Sequence, residues 1–307
     1  MISGPRRTLL ALFAVAGAAI SLRAQPQAHP DLQGMWLNDT ATPLERPASV
    51  GGKEFFTPEE AREYERRYLL DRTLAISRDK DFELNAAGDL DSYEPGHLLP
   101  GGRTSLIVDP PDGRVPALTP EALRQLTGRT QHLDLHYAEN PEDLRNADRC
   151  LVVGNSSVPP MLPVFYNNTV QIVQTAGYVM ILSEMVHDAR IVSLARRTHL
   201  PAAVREWKGD SIGRWEGDTL VVDTTNFTDK TSLRGTSTAL HVIERFTLAS
   251  PDALTYRFTI DDPAFVRAWT GESRLTRTSD RMYEYACHEA NYSMAGVLSG
   301  ARYSERK

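Results

Sequence analysis

Through the second half of the chain, apolar and polar residues alternate in short runs separated by turn residues. Thr169–Thr175, a turn at Ala176-Gly177 and Tyr178–Glu184 read as one hairpin. Ser211–Trp215, the turn Glu216-Gly217-Asp218 and Thr219–Thr224 read as a second, and Leu240–Thr247, the turn Ser250-Pro251-Asp252 and Leu254–Ile260 as a third. Arg281–Glu289 alternates too and predicts one more strand. Period-two runs rich in Val, Ile, Thr, Tyr and Phe, broken by Gly, Pro and Asp, are half-buried strands. Successive hairpins form an antiparallel meander, and a meander of eight or so strands closes into a barrel because closure removes its exposed edges.

The first half reads differently. Pro- and Gly-rich connections (Glu94-Pro-Gly96, Leu99-Pro-Gly-Gly-Arg103, Asp109-Pro-Pro-Asp-Gly113) surround two helical stretches. Thr57-Pro58-Glu59-Glu60 supplies an N-cap, a proline in the first turn and two carboxylates at the positive end of the dipole, and predicts a helix to about Ile76. Thr119-Pro120-Glu121 starts another. Asp31-Leu-Gln-Gly34-Met-Trp36 resembles the Gly-x-Trp opening strand of lipocalin-like barrels, in which the tryptophan plugs one end. The fold expected is therefore mainly β: a meander closing into a lipocalin-like barrel, with a helical N-terminal insertion. Its parts are a signal peptide at 1–24, a first strand with helical and Pro/Gly-rich segments at 25–150, and the meander at 151–307, the last two forming one domain.

Composition fits that picture. Of 307 residues, 41% are hydrophobic and 24% charged, enough for a full core. A net charge of -6 without a basic stripe argues against nucleic acid as a partner. At the start, Arg6-Arg7, the apolar run Ala11–Ile20 and a small residue before Gln25 have the layout of a cleavable signal peptide. The apolar run is shorter than the roughly 20 residues a membrane span needs. This predicts a periplasmic or secreted protein with no transmembrane segment after cleavage, exported by the general or the twin-arginine route. In such an oxidising compartment Cys150 and Cys287 are expected to pair as a disulfide. A Cys287–His288 catalytic pair is disfavoured, since neighbours on a strand point to opposite faces.

The block Trp207-Lys-Gly-Asp-Ser-Ile-Gly-Arg-Trp-Glu-Gly-Asp-Thr-Leu-Val-Val-Asp-Thr-Thr-Asn-Phe227 resembles the signature of a large family of exported bacterial proteins of unassigned function. The likeness extends to Arg103–Gly113, Tyr166-Asn-Asn168, Gln171–Thr175, Glu184–Ile191, His241–Phe246, Asp261-Asp262-Pro263 and Glu284–Tyr292. One departure is Ala195-Arg196, which stands before Arg197-Thr-His199-Leu-Pro201 where the family motif carries Asp-Gly. The resemblance implies export and a β-rich fold, and no chemistry.

Chemistry is sought among polar residues in excess of what strands and turns require. Glu184, His187, Asp188 and Arg190 follow an apolar strand and fall at its end, where barrel ligand sites gather; His187 with Asp188 is a candidate proton-transfer pair. His288 with Glu289 is a second catalytic candidate, with Asn291 as a binding residue beside it. Asp210, Arg214, Trp215 and His241 are further candidates for binding substrate. His132-Leu-Asp-Leu-His136 places two histidines four apart, and the dispersed His187, His199, His241 and His288 are possible metal ligands should the fold bring them together. No nucleophile elbow, phosphate loop or dinucleotide fingerprint is present. The function expected is acid–base chemistry of lyase, isomerase or hydrolase type on a small organic, aromatic or sugar-like molecule. The alternatives are a lipocalin-like binding protein and an envelope protein that makes only protein contacts.

Overall fold

A computed structural model describes residues 29–78, 96–152, 157–164, 166–230 and 233–306. The signal peptide expected at 1–24 lies outside them. Ten strands follow in chain order: β1 (Gly34–Leu37), β2 (Ile107–Asp109), β3 (Thr169–Gln174), β4 (Tyr178–Ser183), β5 (Asp188–Ser193), β6 (Asp210–Glu216), β7 (Thr219–Thr225), β8 (His241–Ser250), β9 (Ala253–Asp261) and β10 (Trp269–Arg277). Nine of them close a barrel in the order β1-β3-β4-β5-β6-β7-β8-β9-β10, with β10 returning to β1. The remaining strand, β2, lies against the other half of β10's free edge. All pairs are antiparallel except β5–β6, which run parallel with Ser193 opposite Ile212. The meander and the closure expected from the alternation are both present, with nine strands and this one parallel step.

The registers define two barrel ends. Ser183, Asp188, Asp210, Thr225, His241, Asp261 and Trp269 lie towards one end, here termed the upper. Gly34, the Gly217-Asp218 turn and Arg277 lie towards the lower. The Gly217-Asp218 turn reverses the chain in two residues, and glycine suits its φ of +61°. Trp36 is fully buried as expected, donating from Nε1 to Leu32 O at 2.9 Å beneath the Arg277 guanidinium, 4.3 Å from its ring centre.

The interior is filled. Val170, Ile172, Val179, Ile181, Val192, Leu220, Val222, Val242, Phe246, Leu254, Tyr256, Phe258, Ile260 and Trp269 belong to one buried cluster. Residues 157–162 enter from the upper end and are buried throughout, and the Met161 N–H donates to Tyr256 Oη at 2.8 Å. A barrel of this size is wide enough for side chains to fill it or for one small ligand, and here side chains and the inserted segment take the space.

Among the described residues four α-helices lie outside the barrel: α1 (Pro58–Arg78), α2 (Pro120–Leu135), α3 (Cys287–Ala290) and α4 (Tyr292–Ser304). The first two begin where their Thr-Pro-Glu signals place them, with the Thr119 hydroxyl accepting from the Ala122 N–H. Arg281–Glu289 is not a strand. Residues 281–286 are irregular chain and Cys287–Glu289 belong to α3, because β9, β1 and β2 already occupy the edges of β10 and leave no ladder for another strand. Cys150 and Cys287 form a disulfide, which fits an oxidising compartment. Among the described residues no helix is long and apolar enough to cross a membrane.

Candidate functional site

Polar side chains gather in three groups at the upper end. The first lies inside the barrel, because Asp188, Arg190 and Val192 share the inward face of β5. Arg190 meets Glu244 of β8 through two hydrogen bonds, Nη2 to Oε1 at 2.9 Å and Nη1 to Oε2. Tyr256 Oη donates to the same Oε1 at 2.8 Å. Burial works against the Arg190 charge, but Glu244 outweighs it and the pKa is raised. Burial, with Glu244 beside it, holds the Tyr256 phenol well above its ordinary range. With both carboxylate oxygens bound, this is an internal crosslink between β5, β8 and β9.

The second group is Lys208 with Asp188, Nζ to Oδ2 at 2.6 Å. Lys208 is buried and Asp188 half-exposed, so the pair sits at the rim. Burial lowers the lysine pKa, partly offset by Asp188.

The third group lies on the outer wall. Leu220, Val222 and Thr224 face inward on β7, so Asp223 faces outward, as do its neighbours Asp210 on β6 and His241 on β8. Segment 194–209, which joins the parallel strands β5 and β6, brings Arg196 and His199 to them. His199 Nδ1 lies 3.0 Å from Asp210 Oδ2, and its Nε2 lies 3.0 Å from Asp223 Oδ1. That same Asp223 oxygen lies 2.8 Å from His241 Nε2. His199 thus bridges the two carboxylates through its two ring nitrogens. Asp210 also takes a two-pronged contact from Arg196, at 2.5 and 3.1 Å, and the Leu200 N–H at 2.9 Å. Burial would raise the Asp210 pKa, but Arg196, the Leu200 N–H and His199 outweigh it and lower it. The His241 hydrogen bond, with His199, holds Asp223 below its ordinary value, and Asp223 in turn raises His241. The result is a continuous Arg196–Asp210–His199–Asp223–His241 chain. Its last member is about one-third exposed, and Nδ1 of that ring has no hydrogen-bond partner among the described residues.

No family model, curated protein or solved structure matches this chain. Roles for its residues therefore come from the geometry alone.

Of the residues picked from sequence, Asp188 and Arg190 share the inward wall, and Asp210 and His241 join through His199 and Asp223. The others stand apart. His187 is exposed in the β4–β5 turn, where it and Val186 take positive φ. Glu184 accepts from the Thr169 N–H at 3.0 Å and so braces β3. Arg214 pairs with Glu216 on the surface, and Trp215 stacks on His29 at 4.7 Å near the lower end. His288 and Glu289 are exposed on α3, where the strand-face argument for them does not apply. Asn291 caps α4 through the Met294 N–H and donates to Asp148 O at 2.8 Å. His132 and His136 each face their own carboxylate, Asp143 and Glu139. Of the four dispersed histidines only His199 and His241 come together, and among the described residues no group of three or more His, Cys, Asp or Glu is arranged to hold a metal.

Sequence reading passed over Glu244, Lys208, Asp223 and Arg196. Glu244 carried a signal: it occupies the apolar phase of β8 between Val242 and Phe246, where an unpaired carboxylate is costly and a buried partner is required.

Proposed function

We propose that this protein is an exported enzyme performing acid–base chemistry on a small organic molecule, with His241 as the group that moves the proton. The observation that carries this reading is the shared Asp223 oxygen, which fixes His241 through Nε2 at 2.8 Å and is itself held by His199 at 3.0 Å. With the Nε2 proton directed at Asp223, a neutral His241 presents Nδ1 as the base, and Asp223 stabilises the imidazolium formed when Nδ1 takes a proton. Asp223 raises the His241 pKa above its ordinary value, which favours the protonated ring that the transfer forms. The same step serves elimination, isomerisation or hydrolysis. His199, Asp210 and Arg196 are positioning residues that keep Asp223 in place.

The test is turnover of a panel of hydroxy acids, aryl esters and aryl glycosides followed by mass spectrometry. His241→Gln should abolish turnover. Asp223→Asn should lower kcat and move the acidic limb of the rate profile, which follows His241 as the base, towards lower pH. Turnover unchanged in His241→Gln would refute the assignment. A second reading, a lipocalin-like small-molecule binding protein, is favoured by a cleft of about 360 Å³ at the upper end of the barrel.

A further inference from the structure

Above the inserted segment that closes the barrel, the chain leaves a recess. Residues 40–44 run out from the upper end of β1, residues 162–164 lead into β3, and the β7–β8 connection carries Arg234 over the same end. Together with α1 they enclose the cleft of about 360 Å³. That volume lies at the lower end of the roughly 300–1,000 Å³ range of small-molecule sites, and the mouths of barrels are a common place for them.

The lining is chemically uneven. Leu44, Leu106 and Leu162 form an apolar wall, and Tyr64 and Tyr68 bring aromatic rings from α1. Burial raises the Tyr64 pKa, with Tyr68 adding to it, so the ring sits in a poorly solvated place. The two threonines of the wall are committed to the backbone: Thr40 Oγ1 donates to His97 O at 2.7 Å, and Thr42 Oγ1 accepts from the Leu99 N–H at 2.8 Å. Among the described residues Arg234 is the one charged side chain of the lining. Its Nη1 reaches Glu45 Oε2 at 2.7 Å, and that carboxylate is also anchored, through Oε1, by the Val115 N–H at 3.0 Å. The guanidinium offers five donors in a fork suited to carboxylates, so it can bridge Glu45 and a second carboxylate.

An apolar and aromatic recess with one cation at its side selects an amphiphilic anion. From this geometry we infer that the upper cleft binds a small monocarboxylate with an aromatic or short aliphatic body. The body packs against the leucines and tyrosines, and the carboxylate rests on Arg234. This inference rests on the binding reading of the cleft and is independent of the role of His241.

Isothermal titration of the full chain with 3-phenylpropionate, 4-hydroxycinnamate and hexanoate tests it, with 3-phenylpropanamide as the uncharged control. The acids should bind, 3-phenylpropionate about tenfold more tightly than its amide, the difference a charge-assisted hydrogen bond makes. Arg234→Gln, at an exposed position, should remove that advantage while leaving amide binding unchanged. Glu45→Gln should tighten the acids by freeing Arg234 from its competitor. Leu162→Trp should fill the recess and exclude acid and amide alike. Absence of binding by all three acids, equal affinity for acid and amide, or binding that survives Arg234→Gln undiminished would each overturn the inference. His241→Gln should leave the affinities unchanged, so failure of the acid–base proposal and failure of the cleft are read separately.

Discussion

Replacing Asp223 by Asn tests the outer-wall chain where it is most connected. One oxygen of Asp223 serves both His199 at 3.0 Å and His241 at 2.8 Å. Hydrogen bonds to charged partners contribute about 1.5–3 kcal/mol each when dry. These side chains are one-fifth to one-third exposed, so screening reduces each to about 1 kcal/mol, and Asp223→Asn should cost about 2 kcal/mol near pH 5.5. The pH dependence has a definite sign. Because His241 is raised from 6.5 in the folded state, its contribution is complete below 6.5 and is lost as pH rises through the folded value. Because Asp223 is lowered from 3.8, its contribution is complete above 3.8 and is lost as pH falls through its folded value. The coupling between them should therefore be greatest from about pH 4 to 6.5. Asp261 also favours charged His241 and supplies a background that survives the substitution. A double-mutant cycle of Asp223→Asn and His241→Asn, measured by urea unfolding, should give a coupling of about 1 kcal/mol at pH 5.5 and a smaller one at pH 9.5, where only the hydrogen bond of the neutral ring remains. Equal coupling at the two pH values, or larger coupling at pH 9.5, would refute the reasoning.

Two further outcomes concern the frame that holds the site. Glu244→Leu strands Arg190 in the barrel and should cost about 3–5 kcal/mol in urea unfolding, whereas Arg190→Met with Glu244→Leu should recover most of it; a double variant no more stable than the single one would contradict the crosslink. Cys150→Ser opens a loop of 137 residues, which chain entropy values at up to about 5 kcal/mol, but the tether lies outside the barrel. Hydrogen exchange should accordingly rise first around 145–152 and 287–304, with barrel amides still protected, and the opposite order would show that the disulfide holds the barrel itself.

The strands were legible because alternation is a local property. In β9 every second residue, Leu254, Tyr256, Phe258 and Ile260, faces the interior, and each is fully buried. Arg281–Glu289 shows the limit of that reasoning. Its residues alternate, but a strand needs an unpaired edge, and which edges remain free is settled by the whole sheet. The candidate site was harder to read for a related reason. Asp210 and His241 were picked for their chemistry, yet the residues that connect them, His199 and Asp223, come from a long connection and from the outward phase of a strand. Spacing along the chain does not reveal that these meet. His187 and His288, each beside a carboxylate in sequence, pair with none among the described residues, since neighbours in a turn or short helix diverge.

The parallel step between β5 and β6 explains why the candidate site lies on the wall. An antiparallel neighbour would need only a short turn, but a parallel one obliges the chain to travel back along the barrel before it can start the next strand. Residues 194–209 make that journey outside, because the interior is already occupied by the Arg190–Glu244 pair, its apolar surroundings and the inserted 157–162 segment. A connection without regular structure must find partners for its polar groups on the surface it crosses. Arg196 and His199 find them in Asp210 and Asp223, whose side chains the β6–β7 alternation turns outward. The links that dock the connection therefore also orient His241. A packed interior and one parallel pairing are enough to move titratable chemistry from the lumen to the wall, and to leave the upper recess as the place where an apolar body can be held.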